Sequence, residues 1–177
     1  MGDTAQGIIL RLTKLTETSL IVRWSTVEHG IIDTVAKGAR NPQSSFAGKL
    51  DLFFAAEFSW QAAKRGKLHH LRECNVVDFR EGLRRDYHTM MLAGYCCGLI
   101  EQVCEPEHPH EEMHDLLSRA LRHLSEEGAS LRALRHFERE LARIEGIGRD
   151  RGEAFVELAQ IGASLPQLRS DLIQRLR

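Results

Sequence analysis

A chain of 177 residues is long enough for one generous domain or two small ones. Its 42% apolar and 28% charged residues are ordinary globular values, which exclude fibrous and low-complexity classes. The formal net charge of -1 is unremarkable, but its distribution is not: residues 1–80 carry 11 Lys plus Arg against 8 Asp plus Glu, and residues 81–177 carry 13 against 17. All five lysines (Lys14, Lys37, Lys49, Lys64, Lys67) fall in the first part, and from Lys37 to Arg72 seven cations meet only Asp51 and Glu57. The N-terminal part is therefore expected to face an anion.

The first 80 residues alternate with a period of two between turn formers, the pattern of short strands. Ile8, Leu10 and Leu12 are read on one face of a first strand, with Ile9, Arg11 and Thr13 on the other. Leu20, Val22 and Trp24 alternate with Ile21, Arg23 and Ser25, and Glu28-His29-Gly30 turns into a third strand over Ile31 to Ala36. Lys37 to Ser45, rich in Gly, Asn, Pro and Ser, reads as a loop. A fourth strand is predicted over Leu52 to Trp60, with Phe54, Ala56, Phe58 and Trp60 inward, and a fifth over Leu68 to Phe79, reached through Lys64-Arg65-Gly66-Lys67. Five short strands with no helix to cover a flat sheet favour a small closed barrel. An OB-fold leads, with an SH3-like barrel or an incomplete sandwich as alternatives.

After Phe79 the period becomes helical. Asp86 is placed to cap a helix with apolar residues on nearly all sides, from Tyr87, Met90, Met91 and Leu92 to Val103, which predicts a central, buried element in which Gly94 and Gly98 admit a close neighbour. Met113, Leu116, Leu117, Ala120, Leu121 and Leu124 form an amphipathic stripe ended by Gly128, and Ser130 caps another carrying Leu131, Leu134, Phe137, Leu141 and Ile144. Shorter helical patterns follow around Phe155 to Ile161 and Leu168 to Leu176. The expectation is an α+β protein: a five-stranded OB-fold barrel over residues 1–80 and an all-α domain over 81–177.

No catalytic pattern emerges. Gly146-Ile147-Gly148 lacks the third glycine of a dinucleotide fingerprint and follows a helix, and P-loop and nucleophile-elbow spacings are absent. Cys104, His108, His110 and His114 form the nearest approach to a metal cluster, but without a second pair at structural-zinc spacing they are read as solvated groups, and neither metal nor cofactor is expected. Cys96-Cys97 is no redox motif and reads as core. Met1–Leu12 lacks the features of a signal peptide and no 18-residue apolar span occurs, so a cytoplasmic, nucleoid-associated protein with reduced Cys74, Cys96, Cys97 and Cys104 is expected, away from any membrane.

The nucleic-acid signal is stronger. Lys37-Gly38-Ala39-Arg40 enters a loop where glycine lets backbone N–H groups approach phosphates and two cations neutralise them. Arg11 and Arg23 extend the track across adjacent strands, Lys49, Lys64, Arg65 and Lys67 add to it, and Phe46 is a candidate base-stacking ring, whereas Trp24 is read as core.

Gly7-Ile8-Ile9-Leu10-Arg11, Glu17-Thr18-Ser19-Leu20-Ile21-Val22, Thr26-Val27-Glu28-His29-Gly30 and Ala36-Lys37-Gly38-Ala39-Arg40 resemble, in order and spacing, the N-terminal region of the bacterial recombination mediator RecO family. Leu71-Arg72-Glu73 adds to the likeness, and from Leu83 to Gly146 the helical layout is similar. The resemblance implies an OB-fold joined to a helical domain that binds single- and double-stranded DNA, anneals complementary strands, and works with a RecR-like partner and single-stranded-DNA-binding protein to load recombinase. It also implies that the helical domain recognises the acidic, apolar tail of the single-stranded-DNA-binding protein, for which Arg132, Arg135 and Arg139 are the candidate contacts. Many members carry a cysteine-containing zinc module after the helices; no cysteine follows Cys104, and a member without that module is expected. The alternative function is a protein-interaction adaptor with little DNA affinity, and no enzymatic activity is expected from either.

Overall fold

The structure, a computed structural model, describes residues 3–146 and 165–176. These divide into two compact units: residues 3–79 with 105–111, and residues 80–104 with 112–146 and 165–176. The predicted pattern around Phe155 to Ile161 lies outside the described residues.

The first unit is a closed five-stranded barrel of β1 (Asp3–Lys14), β2 (Leu20–Thr26), β3 (Gly30–Ala36), β4 (Ala55–Gln61) and β5 (Leu68–Asp78). Its order is β1-β2-β3-β5-β4, with β4 returning to β1 and only β3 and β5 parallel, which is an OB-type barrel. Closure removes the exposed edges that five short strands would otherwise present. Val22, Trp24, Ile32, Phe54, Ala56, Phe58, Trp60 and Leu71 share the core, where Trp24 stacks on Phe58 at 3.9 Å and donates its indole N–H to Thr34 Oγ1 at 2.9 Å. Burying about a dozen such side chains, each contributing roughly 1.5–3 kcal/mol, is what offsets chain entropy in so small a unit.

Two strand readings are corrected. The inward face of β1 is Ile9 and then Leu12, because a bulge at Leu10 shifts the pairing register between Ile9 and Arg11 and reverses the alternation. β4 starts at Ala55, not Leu52, because Phe53 takes a left-handed backbone (φ 72°) that turns the chain before the ladder begins.

Residues 105–111 return to the barrel as a strap. The Glu107 N–H donates to the Ile31 carbonyl at 2.9 Å, and Pro106 bridges Ile31. Gly30 makes this possible: its φ is +63°, and a Cβ there would lie 1.8 Å from the His108 carbonyl oxygen. Gly30→Ala is therefore expected to lose about 2 kcal/mol or more of stability from left-handed strain and displacement of the strap, measured by urea unfolding; an unchanged midpoint would contradict the close approach.

The second unit holds α1 (Tyr87–Val103), α2 (Glu111–Glu127), α3 (Leu131–Ile144) and α4 (Leu165–Arg175). The Asp86 carboxylate accepts from the Thr89 N–H and hydroxyl, which caps α1 and holds that carboxyl below its usual range. Leu92, Ala93, Tyr95, Cys96, Cys97, Leu99 and Ile100 bury most of α1, but Tyr87 and Met90 in its first turns are exposed, and Gly94 has no close neighbour among the described residues. Ser130 caps α3 by accepting from the Ala133 N–H. Arg85 donates to the Ser125 and Glu126 carbonyls, satisfying the C-terminal end of α2. Among the described residues no helix is long and apolar enough to cross a membrane.

Candidate nucleic-acid interface

The end of β3, the β4–β5 turn and the outward face of β5 enclose a groove of about 520 Å³ on the barrel unit. Lys37, Lys64, Arg65 and Arg72 line it together with Gln61 and His70, and no acidic residue is among the described lining residues. Val35, Phe46, Leu68 and Leu71 form apolar wall. Arg72 donates to the Gln61 side-chain carbonyl across β4 and β5, which fixes one rim. Lys37 also borders a second concavity of about 580 Å³ with Gly38, Asn41, Pro42, Gln43, Ser44 and Ser45. The Lys37–Ser45 loop is built from successive turns, with the Asn41 N–H donating to Gly38 and the Ser44 N–H to Asn41.

The motif residues meet in one place. The Gly38 N–H donates to Ser19 Oγ at 3.4 Å, and its φ of +69° suits glycine. The Arg40 N–H donates to the Thr18 carbonyl at 2.9 Å and its guanidinium to the Glu17 carbonyl at 2.9 Å. Arg40 thus braces the β1–β2 turn, leaving an exposed cation already tied to backbone. Arg23 forms a bidentate pair with Asp33 at 2.7 and 2.8 Å across β2 and β3, so its charge is neutralised locally and it does not extend a free cationic track. Arg11 lies on β1, exposed, and lines neither groove. Lys49 is partly buried and its carbonyl accepts from the Cys74 thiol; Lys67 is exposed on the turn outside the groove lining. Phe46 is 7% exposed and packs with the barrel core, yet it lines this groove beside Lys37, so only a small part of its ring is open to it. Arg72 and His70 were absent from the expected set, although alternation about the inward Leu71 puts both on the outer face of β5.

In the helical unit a groove of about 780 Å³ runs along α2 and α3, with Leu92, Leu116, Leu124 and Phe137 as apolar lining and both basic residues (Arg119, paired with Asp115 at 2.8 Å, His123, Arg132 and His136) and acidic ones (Glu126 and Glu127) among the polar residues. Of the three arginines expected for peptide docking, Arg132 lines it; Arg135 and Arg139 do not, and Arg139 instead contacts His136 Nδ1 at 3.2 Å. Arg119 with His123 and Arg132 with His136 are each four residues apart, a spacing that puts each pair on one helix face.

A buried polar cluster that helical periodicity did not disclose joins three helices. The Glu138 carboxylate, 5% exposed, accepts from the Tyr95 hydroxyl at 2.6 Å and from Arg169 at 2.6 and 3.0 Å. Burial, then the neighbouring carboxylate, pushes the Tyr95 phenol well up.

His110 Nε2 accepts from the Glu105 N–H, and among the described residues no group of three His, Cys, Asp or Glu is placed to hold a metal. All four cysteines are free thiols and buried. Burial pushes Cys74 to about 11 and Cys104 to about 12, and raises Cys96 and Cys97 as well. Unfolded thiols ionise near their ordinary value of 9.0 while the folded ones keep their protons, so the folded state binds more protons and stability falls as pH rises. The melting temperature is expected to hold between about pH 7 and 8 and to decline steadily above about 9. An alkaline rise would reverse that sign.

A closed OB-type barrel followed in sequence by a helical unit makes this a two-part α+β protein of the OB class. Residues 1–80 match the family described as Recombination protein O N terminal, and residues 84–150 match Recombination protein O C terminal. The chain belongs to the RecO family, a family of DNA repair and recombination proteins. It is similar to the DNA repair protein RecO of Syntrophotalea carbinolica, 28% identical over 127 residues, 72% of this chain and 49% of the relative. The RecO proteins of Desulfatibacillum aliphaticivorans (33% over 125 residues, 70% of this chain and 48% of the relative) and Bacillus pumilus (30% over 122 residues, 69% and 47%) are also similar. The chain spans about half the length of these curated relatives.

Proposed function

We propose that this chain is a DNA-binding recombination and repair mediator that brings strands together by binding them, with no covalent step. The observation that carries this reading is the groove lined by Lys37, Lys64, Arg65 and Arg72 without an acidic partner in its lining, on the barrel of a RecO-family chain. Four phosphates neutralised there release counterions and lower the repulsion between two backbones, which requires no ATP. Both single- and double-stranded DNA present that backbone, and annealing of complementary strands follows from holding one while the other approaches.

The helical groove supports a second element of the same reading. Its apolar lining with Arg132 and Arg119, the latter also paired with Asp115, supports docking of the acidic, apolar tail of single-stranded-DNA-binding protein at the end of the groove away from Glu126 and Glu127, which would bring the mediator to coated strands. A RecR-like partner and recombinase loading enter through family membership. An adaptor with little DNA affinity is the second reading, favoured by that same helical groove.

Anisotropy of a labelled single strand titrated at several salt concentrations tests the reading. Four phosphate contacts give an expected slope of log affinity against log salt of roughly -3. A flat salt response, with peptide binding intact, would replace the mediator by the adaptor.

A further inference from the structure

The basic groove contains a feature that phosphate binding does not use. His70 on β5 is paired in register with Val35 of β3 on one side and Gln61 of β4 on the other, so it stands in the middle of the sheet. Its side chain lines the groove between Lys37 and the Lys64–Arg65 turn, yet Nδ1 is buried and has no hydrogen-bond partner among the described residues. Adjacent His69 differs: its Nδ1 accepts from the Ala63 N–H at 3.2 Å, and its Nε2 lies 3.9 Å from Glu107. A buried ring nitrogen without a partner is costly, and a ligand that supplies one recovers that cost on binding.

We infer that His70 makes this groove selective for unpaired nucleotides, by hydrogen bonding the pairing edge of a base whose phosphates lie on the surrounding cations. The inference rests on the DNA-binding reading and adds a second layer of recognition to it. A duplex offers Lys37, Lys64, Arg65 and Arg72 its phosphates equally well, but its base-pairing edges are occupied and stacked inside. Only an unpaired base can turn such an edge toward a groove floor. The about 520 Å³ enclosed here is in the range that accommodates a small-molecule-sized group, and Leu68, with the small exposed parts of Val35, Phe46 and Leu71, supplies apolar surface beside it. The imidazole turns about a soft terminal torsion, so Nδ1 can be brought round to the groove that the ring lines.

The test compares a labelled single strand of mixed sequence with its duplex, at equal low salt, on the full chain. His70→Ala is expected to weaken single-strand binding about 5- to 10-fold while duplex affinity stays within about two-fold, and His70→Gln, which keeps a hydrogen-bonding group, is expected to recover part of the loss. Lys37→Glu is expected to weaken both ligands similarly. Melting temperatures of the variants report whether the barrel is intact, and His70→Gln serves as the folded variant if His70→Ala lowers them. Equal losses for single strand and duplex, or no loss for either with wild-type binding intact, would overturn the role of His70 and leave the phosphate-binding reading standing. Failure of the wild-type chain to bind either ligand would overturn that reading itself, and this inference with it.

Discussion

Replacing Lys37 and Arg65 together by Glu is expected to lower affinity for both single strands and duplex on the order of 100-fold at about 0.1 M salt, and to flatten the salt dependence. The two residues come from different loops and face one groove with Lys64 and Arg72, so reversing both turns a cluster of four cations into a neutral one. Phosphates lose their counter-charge whatever the base sequence, and the loss should be uniform across oligonucleotides. Arg132→Glu in the helical groove is the matched control: it should leave bare-strand binding unchanged and weaken an acidic, apolar peptide. A charge-reversed barrel with wild-type DNA affinity would remove the groove from the account.

The second large effect concerns the helical unit. Glu138→Ala takes away the acceptor of the buried Tyr95 hydroxyl and the anion paired with Arg169, whose side chain is 19% exposed. Breaking a fully buried ion pair from one side costs about 3–5 kcal/mol, and the partial exposure of Arg169 puts this site at the lower end, which for a unit of this size lowers its melting temperature by on the order of 10 °C. Tyr95→Phe should cost only about 1 kcal/mol, because the charged pair survives. The same cluster holds α4, whose Leu172 is fully buried and whose Arg175 lies over the Tyr87 ring at 5.8 Å, so the larger loss should appear with release of α4 to proteolysis. Thermal unfolding followed by helical circular dichroism, with a protease time course, distinguishes the two variants. Equal small effects would mean that the cluster is weakly coupled to folding.

The barrel was legible where one face is buried and alternation is clean, as at Val22 and Trp24 or Phe54, Ala56, Phe58 and Trp60. It failed where local geometry breaks the period. A bulge at Leu10 is invisible in a run of three apolar residues, and a left-handed Phe53 looks like any other strand-forming aromatic. The basic character of the candidate site was legible from composition, because cations cluster between Lys37 and Arg72. Its membership was not, since charge counting cannot tell a cation facing a groove from one already paired. Arg23 and Asp33 are ten residues apart, yet only the β2–β3 register puts them opposite each other. Glu138 reads as another polar residue on an amphipathic helix until a partner 31 residues later closes on it.

The two-unit reading also gains a physical basis for the motifs that carry the family resemblance. Glu17-Thr18-Ser19 is the turn that Gly38 and Arg40 hold, and His29-Gly30 is the turn that admits the strap at His108. These residues shape the barrel, while Lys37, Lys64, Arg65 and Arg72 remain available at the groove.

As proposed above, this chain would bring complementary DNA strands together through that groove. The most direct test is the rate at which two complementary labelled strands anneal at low salt without ATP, with the wild-type chain and with the Lys37→Glu, Arg65→Glu variant. Acceleration by the wild-type chain is expected, and it should disappear in the variant and at high salt. Strands that anneal no faster with the wild-type chain than without it would contradict the proposal.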